Sequence, residues 1–115
     1  MASQLVWFEL PVADVDRGQR FFSGLLGWDF DAWDGQPYHM IQGASPGGAM
    51  MPGEGPPVVY FSTDDIDSAV ATVGGLGGTA QEIQEVPGVG RMSACRDDQG
   101  TPFSLYQPAQ RSGPV

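Results

Sequence analysis

The chain carries a weak internal repeat. Leu10-Pro11-Val12-Ala13-Asp14-Val15-Asp16 opens a helix-like stretch that closes at Leu25-Leu26-Gly27. Phe61-Ser62-Thr63-Asp64-Asp65-Ile66-Asp67 opens a second, which closes at Gly75-Leu76-Gly77. Asp65 stands fifty-one residues after Asp14, and Gly77 fifty after Gly27. A chain of 115 residues has room for two copies of such a unit and little else. Two copies imply a pseudo-symmetric domain, and such domains commonly put their site between the copies.

Apolar alternation predicts a strand over 4–12, with Val6, Phe8, Leu10 and Val12 on one face and Trp7, Glu9 and Pro11 on the other. Asp14 then suits a helix N-cap, Phe21, Phe22, Leu25 and Leu26 are spaced for a core, and Gly27 suits the C′ position. Short strands follow over 28–33, 38–42 and 47–51, broken by Asp34-Gly35 and Ser45-Pro46-Gly47 turns. Residues 53–57 form a short linker. The second copy predicts a strand over 58–63, a helix capped by Asp64 or Asp65 with Ile66, Ala69, Val70 and Val73 inside, and strands over 79–86, 90–96 and 102–107. The expected class is α+β, two tandem βαβββ modules whose mixed, mostly antiparallel sheet curls around a cleft. Residues 1–108 are read as one domain, with modules over 1–52 and 57–108 and a flexible tail over 109–115. The glycine-rich segments 43–48 and 74–78 match no phosphate-loop spacing and are assigned to turns and helix ends.

Charge narrows the partners. Fourteen Asp and Glu stand against five arginines and no lysine, a formal net charge of −9. Such a chain repels nucleic acid and anionic membranes, so neither is an expected partner, and a cationic or neutral small molecule fits better. No apolar run approaches the roughly twenty residues of a membrane span. The N-terminus has no signal-peptide pattern, which predicts a cytoplasmic protein. Cys95 is alone, which excludes an internal disulfide and any multi-cysteine metal site, and its strand predicts a small core residue rather than a nucleophile.

Four stretches carry a resemblance: Glu9-Leu10-Pro11-Val12-Ala13-Asp14, Phe21-Phe22-Ser23-Gly24-Leu25-Leu26-Gly27-Trp28, Val59-Tyr60-Phe61-Ser62-Thr63-Asp64-Asp65, and the ending from Gly88 through Asp97-Asp98-Gln99-Gly100-Thr101-Pro102-Phe103-Ser104-Leu105-Tyr106-Gln107. Together they resemble the vicinal oxygen chelate superfamily of glyoxalase I, extradiol dioxygenases and fosfomycin and bleomycin resistance proteins. The resemblance implies paired βαβββ modules around a cleft, usually completed in a homodimer. It also implies metal-ligand positions, which fall here on Trp7, Val58 and Ser104. None of the three is a usual ligand for a divalent cation, and His39 is the single histidine. No metal or other cofactor is therefore expected.

Glu9 is the sharpest residue left. Alternation puts it on Trp7's face, where it would serve as general acid or base, anchor a cationic ligand, or simply pair with an arginine such as Arg91. Tyr60, Ser104 and Tyr106 share the cleft face by the same parity, Tyr38, Met40 and Met92 are placed at its rim or floor, and Arg91 at its mouth. Trp7 either lines the hollow or plugs it. His39 would shuttle a proton or hold a ligand, unless it faces solvent. Three functions remain open. The first is a metal-independent binding protein of the bleomycin-resistance type, sequestering an aromatic or cationic ligand in a dimer cleft. The second is a cofactor-free isomerase, lyase or cyclase using Glu9. The third is a regulatory or scaffold module with a filled cleft.

Overall fold

The computed structural model describes residues 3–33 and 35–109, and within them each copy of the repeat folds as a strand, a helix and further strands. Asp34, Arg111 and the expected tail beyond Ala109 lie outside the described residues. Two compact units emerge. One is Val6–Val59; the other takes in Leu5 and the chain from Tyr60 onward.

In the first unit, β1 (Leu5–Val12) lies parallel to β4 (Gly47–Pro52). Antiparallel pairing with β3 (His39–Gln42) and β2 (Asp29–Ala32) gives the order β2-β3-β4-β1. Helix α1 (Val15–Leu26) starts where Asp14 is extended and its carboxylate accepts from Arg17 N at 3.1 Å. It stops at Gly27, whose φ of 74° is the left-handed conformation that a Cβ disfavours. The helix packs on the even-numbered face of β1. A methyl group on Gly18 would stand 2.8 Å from Met50 Sδ and 3.3 Å from Val12 Cγ2, so glycine lets the helix sit close. Trp28 is the hub beneath it, stacked on Phe22 at 5.8 Å and tilted against Phe8 at 6.1 Å.

That packing corrects the expected helix core. The half-buried stripe runs through Val15, Gly18, Gln19 and Phe22, while Phe21, Leu25 and Leu26 stay 63%, 64% and 49% exposed. Spacing alone cannot decide which side of an apolar cluster meets the sheet; Gly18 decides it, since of the helix's two glycines it is the one closely approached by Met50 and Val12. Gly47 and Gly48 open β4, as the strand expected over 47–51 has it, and do not serve the turn that the glycine-rich run was also assigned to; an added Cβ would stand 2.9 Å from the Trp7 ring and 2.6 Å from the Phe8 ring respectively. Their missing side chains let two aromatic residues lie flat on opposite faces of the sheet.

The second unit repeats the pattern. β5 (Val58–Ser62) lies parallel to β9 (Pro102–Pro108), which pairs with β8 (Gly90–Arg96), and β8 in turn pairs with β6 (Thr79–Ala80) and β7 (Gln84–Val86). Helix α2 (Ile66–Gly75) is capped by Asp65, which accepts from Ser68 N at 3.1 Å. Its first free N–H, on Ile66, is taken by Gln107 Oε1 at 2.8 Å, and Ile66 itself is fully buried. The single strand expected over 79–86 is broken in two. Three residues, 81–83, stand opposite two, Ser93 and Ala94, which makes a bulge held by Ser93 Oγ donating to the Gln81 carbonyl at 2.8 Å. Among the described residues no helix is long and apolar enough to cross a membrane.

Candidate functional site

The site begins with strand alternation. On the face of the first sheet turned away from α1, cross-strand register aligns Trp7 with Gly47, and Glu9 with Ala49, Met40 and Asp31. Ala49 is fully buried, and Trp7, Glu9, Tyr38 and Met40 are half-buried, so this row is partly withdrawn from water. The other face carries Leu10, Met50 and His39 in one row. His39 therefore lies on the helix-side face, opposite Glu9.

Three of the expected residues meet in one hydrogen-bonded chain. Trp7 Nε1 donates to the Tyr38 hydroxyl at 2.8 Å, and that hydroxyl donates to Glu9 Oε2 at 2.6 Å. The direction follows from chemistry: an indole N–H only donates, so the phenol oxygen must accept from it and pass its own proton to the carboxylate. The 2.6 Å separation is that of a charge-assisted O–H···O⁻ bond. Trp7 is held in place by lying over Gly47. Tyr38 is held by its ring edge against Trp33, 5.7 Å between centroids, across a turn closed by Trp33 N donating to the Tyr38 carbonyl at 2.8 Å.

Trp33 and the Tyr38–Glu9 bond went unread in the sequence. The signal for Trp33 was present: two aromatics flanking an Asp-Gly turn become cross-strand neighbours. No sequence signal joins Tyr38 to Glu9, because the register of β3 on β4 on β1 sets that distance.

The second unit places its candidates differently. Tyr60 and Ser104 are cross-strand partners, both buried, and Met92 and Tyr106 are another such pair on the same face. The Tyr106 hydroxyl donates to the Val89 carbonyl at 2.7 Å, which binds β9 to the loop before β8. Arg91 turns to the opposite face, where Asp67 of α2 holds it through two bonds at 3.0 and 3.2 Å. The expected Arg91–Glu9 pair is thus replaced by Arg91–Asp67 and Tyr38–Glu9. The hydrogen bond from Arg91 keeps the Asp67 carboxyl below the usual carboxylate range. Glu85, Arg91 and Gln107 line a shallow hollow of about 330 Å³, but Arg91 and Gln107 Oε1 are already engaged, by Asp67 and Ile66 N. Cys95 is buried in β8 beside Ser93, and burial pushes its thiol up.

Among the described residues no three His, Cys, Asp or Glu side chains are grouped as a metal ion would require. The three positions that the resemblance assigns to metal ligands carry an indole donating to a phenol, an isopropyl group and a buried hydroxyl. A divalent cation finds no donor set there.

Comparisons with known proteins bear on the whole arrangement. The family model described as bleomycin resistance protein-like N-terminal matches residues 4–44. A search of curated protein sequences returned no match. Solved structures align over nearly the whole chain at low identity. A glyoxalase/bleomycin resistance protein/dioxygenase superfamily member from Vibrio splendidus aligns with a TM-score of 0.71 at 14% identity, covering 92% of this chain and 99% of that one. Methylmalonyl-CoA epimerase from Mycobacterium tuberculosis aligns with a TM-score of 0.66 at 16% identity, covering 96% and 93%. The Streptomyces coelicolor methylmalonyl-CoA epimerase in complex with 2-nitronate-propionyl-CoA gives 0.66 at 15%, covering 99% and 100%. The chain therefore carries the fold of the glyoxalase/bleomycin resistance/dioxygenase superfamily, its first module matching the bleomycin resistance protein-like N-terminal family.

Proposed function

We propose that this protein is a metal-independent small-molecule-binding protein that holds an aromatic or cationic ligand on the Trp7–Glu9–Tyr38 face. The hydrogen-bonded chain ending on the Glu9 carboxylate carries this reading. It supplies flat aromatic area beside an oriented negative charge, a pairing suited to planar, positively charged molecules. The net charge of −9 adds a long-range pull in the same direction. The working form is a homodimer, since a chain this small leaves Phe21, Leu25 and Leu26 exposed. Isothermal titration against cationic glycopeptides and planar polyketides tests the binding. Heat that disappears in Glu9→Gln is expected, and no heat with either class rejects the reading.

A second reading is favoured by one observation, the structural likeness to methylmalonyl-CoA epimerases. Glu9 would then move a proton at a carbon next to a carbonyl, without a cofactor. The net charge argues against a polyanionic thioester, because only five arginines oppose fourteen carboxylates and Arg91 is committed to Asp67. Deuterium wash-in at the α-carbon of acyl thioesters in D₂O decides it: exchange lost in Glu9→Gln establishes the activity, and no exchange in the wild-type protein removes it.

A further inference from the structure

We infer that the outer side of α1 is an interface for a second copy of this chain, the two helices running antiparallel with the Phe21 ring of each seated over the partner's Gly24. The inference deepens the homodimer reading above by naming the surface and its register.

Helix α1 has two glycines, and the chain's own packing explains one of them. A Cβ on Gly18 would meet Met50 and Val12, whereas a Cβ on Gly24 would meet nothing within 4 Å. Glycine inside a helix is destabilising, and no other part of the chain approaches Gly24 closely enough to require it.

Counting from Arg17 as i, the positions i+3, i+4, i+7 and i+8 are Arg20, Phe21, Gly24 and Leu25, so all five share one side of the helix. All five are exposed. Phe21 is the projecting member. Its ring stands edge-on to Phe22 at 5.1 Å, and Phe22 in turn stacks on Trp28 at 5.8 Å, which fixes the projection from beneath. Gly24, almost one turn further on, is the notch beside it. A projection and a notch on one helix become self-complementary under a two-fold axis passing between them, so each Phe21 fills the partner's Gly24.

Charge selects the antiparallel sense. Arg17 and Arg20 stand in the N-terminal half of this side, and the last turn of α1 holds no basic residue. The free carbonyls of a helix C-terminus carry partial negative charge that nearby cations stabilise. The same two-fold axis brings Arg20 beside the partner's Leu25, so each copy supplies the cation that the other's C-terminal turn lacks. A parallel pair would instead set the arginines of the two copies against each other. A pair of twelve-residue helices is small for an interface, below about 1,200 Å² in total, so a dimer of micromolar affinity is expected.

Sedimentation velocity across the micromolar range tests this. The wild-type protein is expected to pass from monomer to dimer as concentration rises. Gly24→Gln fills the notch with a better helix former, and should raise the dissociation constant about tenfold with circular dichroism unchanged. Arg20→Glu sets a carboxylate against the partner's carbonyls and should raise it by about the same factor. Leu76→Ser, at an apolar residue of the other helix that is 75% exposed, should leave it unchanged. An unchanged dissociation constant in Gly24→Gln, or an equal loss in Leu76→Ser, overturns this interface and leaves the homodimer standing. An unchanged value in Arg20→Glu overturns the antiparallel register. A monomer at every concentration overturns both the interface and the homodimer reading, and leaves ligand binding to be judged by its own titration.

Discussion

The two modules use one scaffold for two different surfaces. Fifty-one residues apart, Asp14 and Asp65 make the same cap, each accepting a backbone N–H at 3.1 Å. β1 lies parallel to β4 as β5 lies parallel to β9. At the same offset Glu9 corresponds to Tyr60, and their cross-strand partners are Ala49 and Ser104. The first module thus puts a carboxylate against a methyl group and hands it to Tyr38; the second puts a phenol against a hydroxyl. The caps and pairings recur in both copies because each contributes to forming the same local unit. The face away from the helix is where the copies are free to differ.

Their helices differ too. Ile66 opens α2 fully buried, whereas Val15, its counterpart, is half-buried and α1 leaves three large apolar side chains exposed. Ile66→Ala is therefore expected to lower unfolding free energy by about 2–5 kcal/mol, and Val15→Ala by about 1 kcal/mol, read by chemical denaturation. Equal losses would show that the modules share burial more evenly than their accessibilities indicate. Next in size is Gly48→Ala, where the new methyl meets the Phe8 ring; overpacking of this kind costs about 1–3 kcal/mol. Gly47→Ala should displace Trp7 instead, shifting tryptophan fluorescence and weakening ligand binding.

Asp14→Ala and Asp65→Ala should each cost about 1 kcal/mol, since both remove one capping bond of the same length. A large inequality would break the parallel between the copies. The smallest effect is in pH. Asp97 accepts from Thr101 N at 2.9 Å and Gln99 N at 2.8 Å in the β8–β9 turn, and these backbone bonds hold its carboxyl low, as Arg91 holds that of Asp67. Both groups favour the folded state when ionised. Their contribution is complete above the ordinary aspartate value of about 3.9 and is lost as pH falls through the lower folded-state values. The double variant Asp67→Asn, Asp97→Asn should flatten the acid limb of a thermal stability profile; an unchanged limb would remove these two residues as its source.

Much of this architecture was legible from local pattern. The Asp caps, the αL glycine at 27, the alternation in β1 and the order of strands and helices all rest on neighbours a few residues apart. The placement of Tyr60, Ser104 and Tyr106 on one face followed from parity alone. What went astray depended on distant partners. Arg91 was expected beside Glu9, yet its parity sends it to the helix side, where Asp67 lies within hydrogen-bond distance. Phe21, Leu25 and Leu26 read as core, although the closest approach of α1 is through Gly18. The strand over 47–51 was read, but the rings lying against Gly47 and Gly48 were not, because nothing in a glycine's own neighbourhood announces an aromatic ring arriving from another strand.

The amino-acid order alone settled that there are two modules, where each helix starts, and that Glu9 shares a face with Trp7. Those properties are periodic or local, so each is decided within one turn or one strand. The joining of Trp7, Tyr38 and Glu9 required the folded chain. Residues twenty-nine and thirty-one positions apart meet there through the register of three strands, and that register is a sum of cross-strand contacts which no single segment contains.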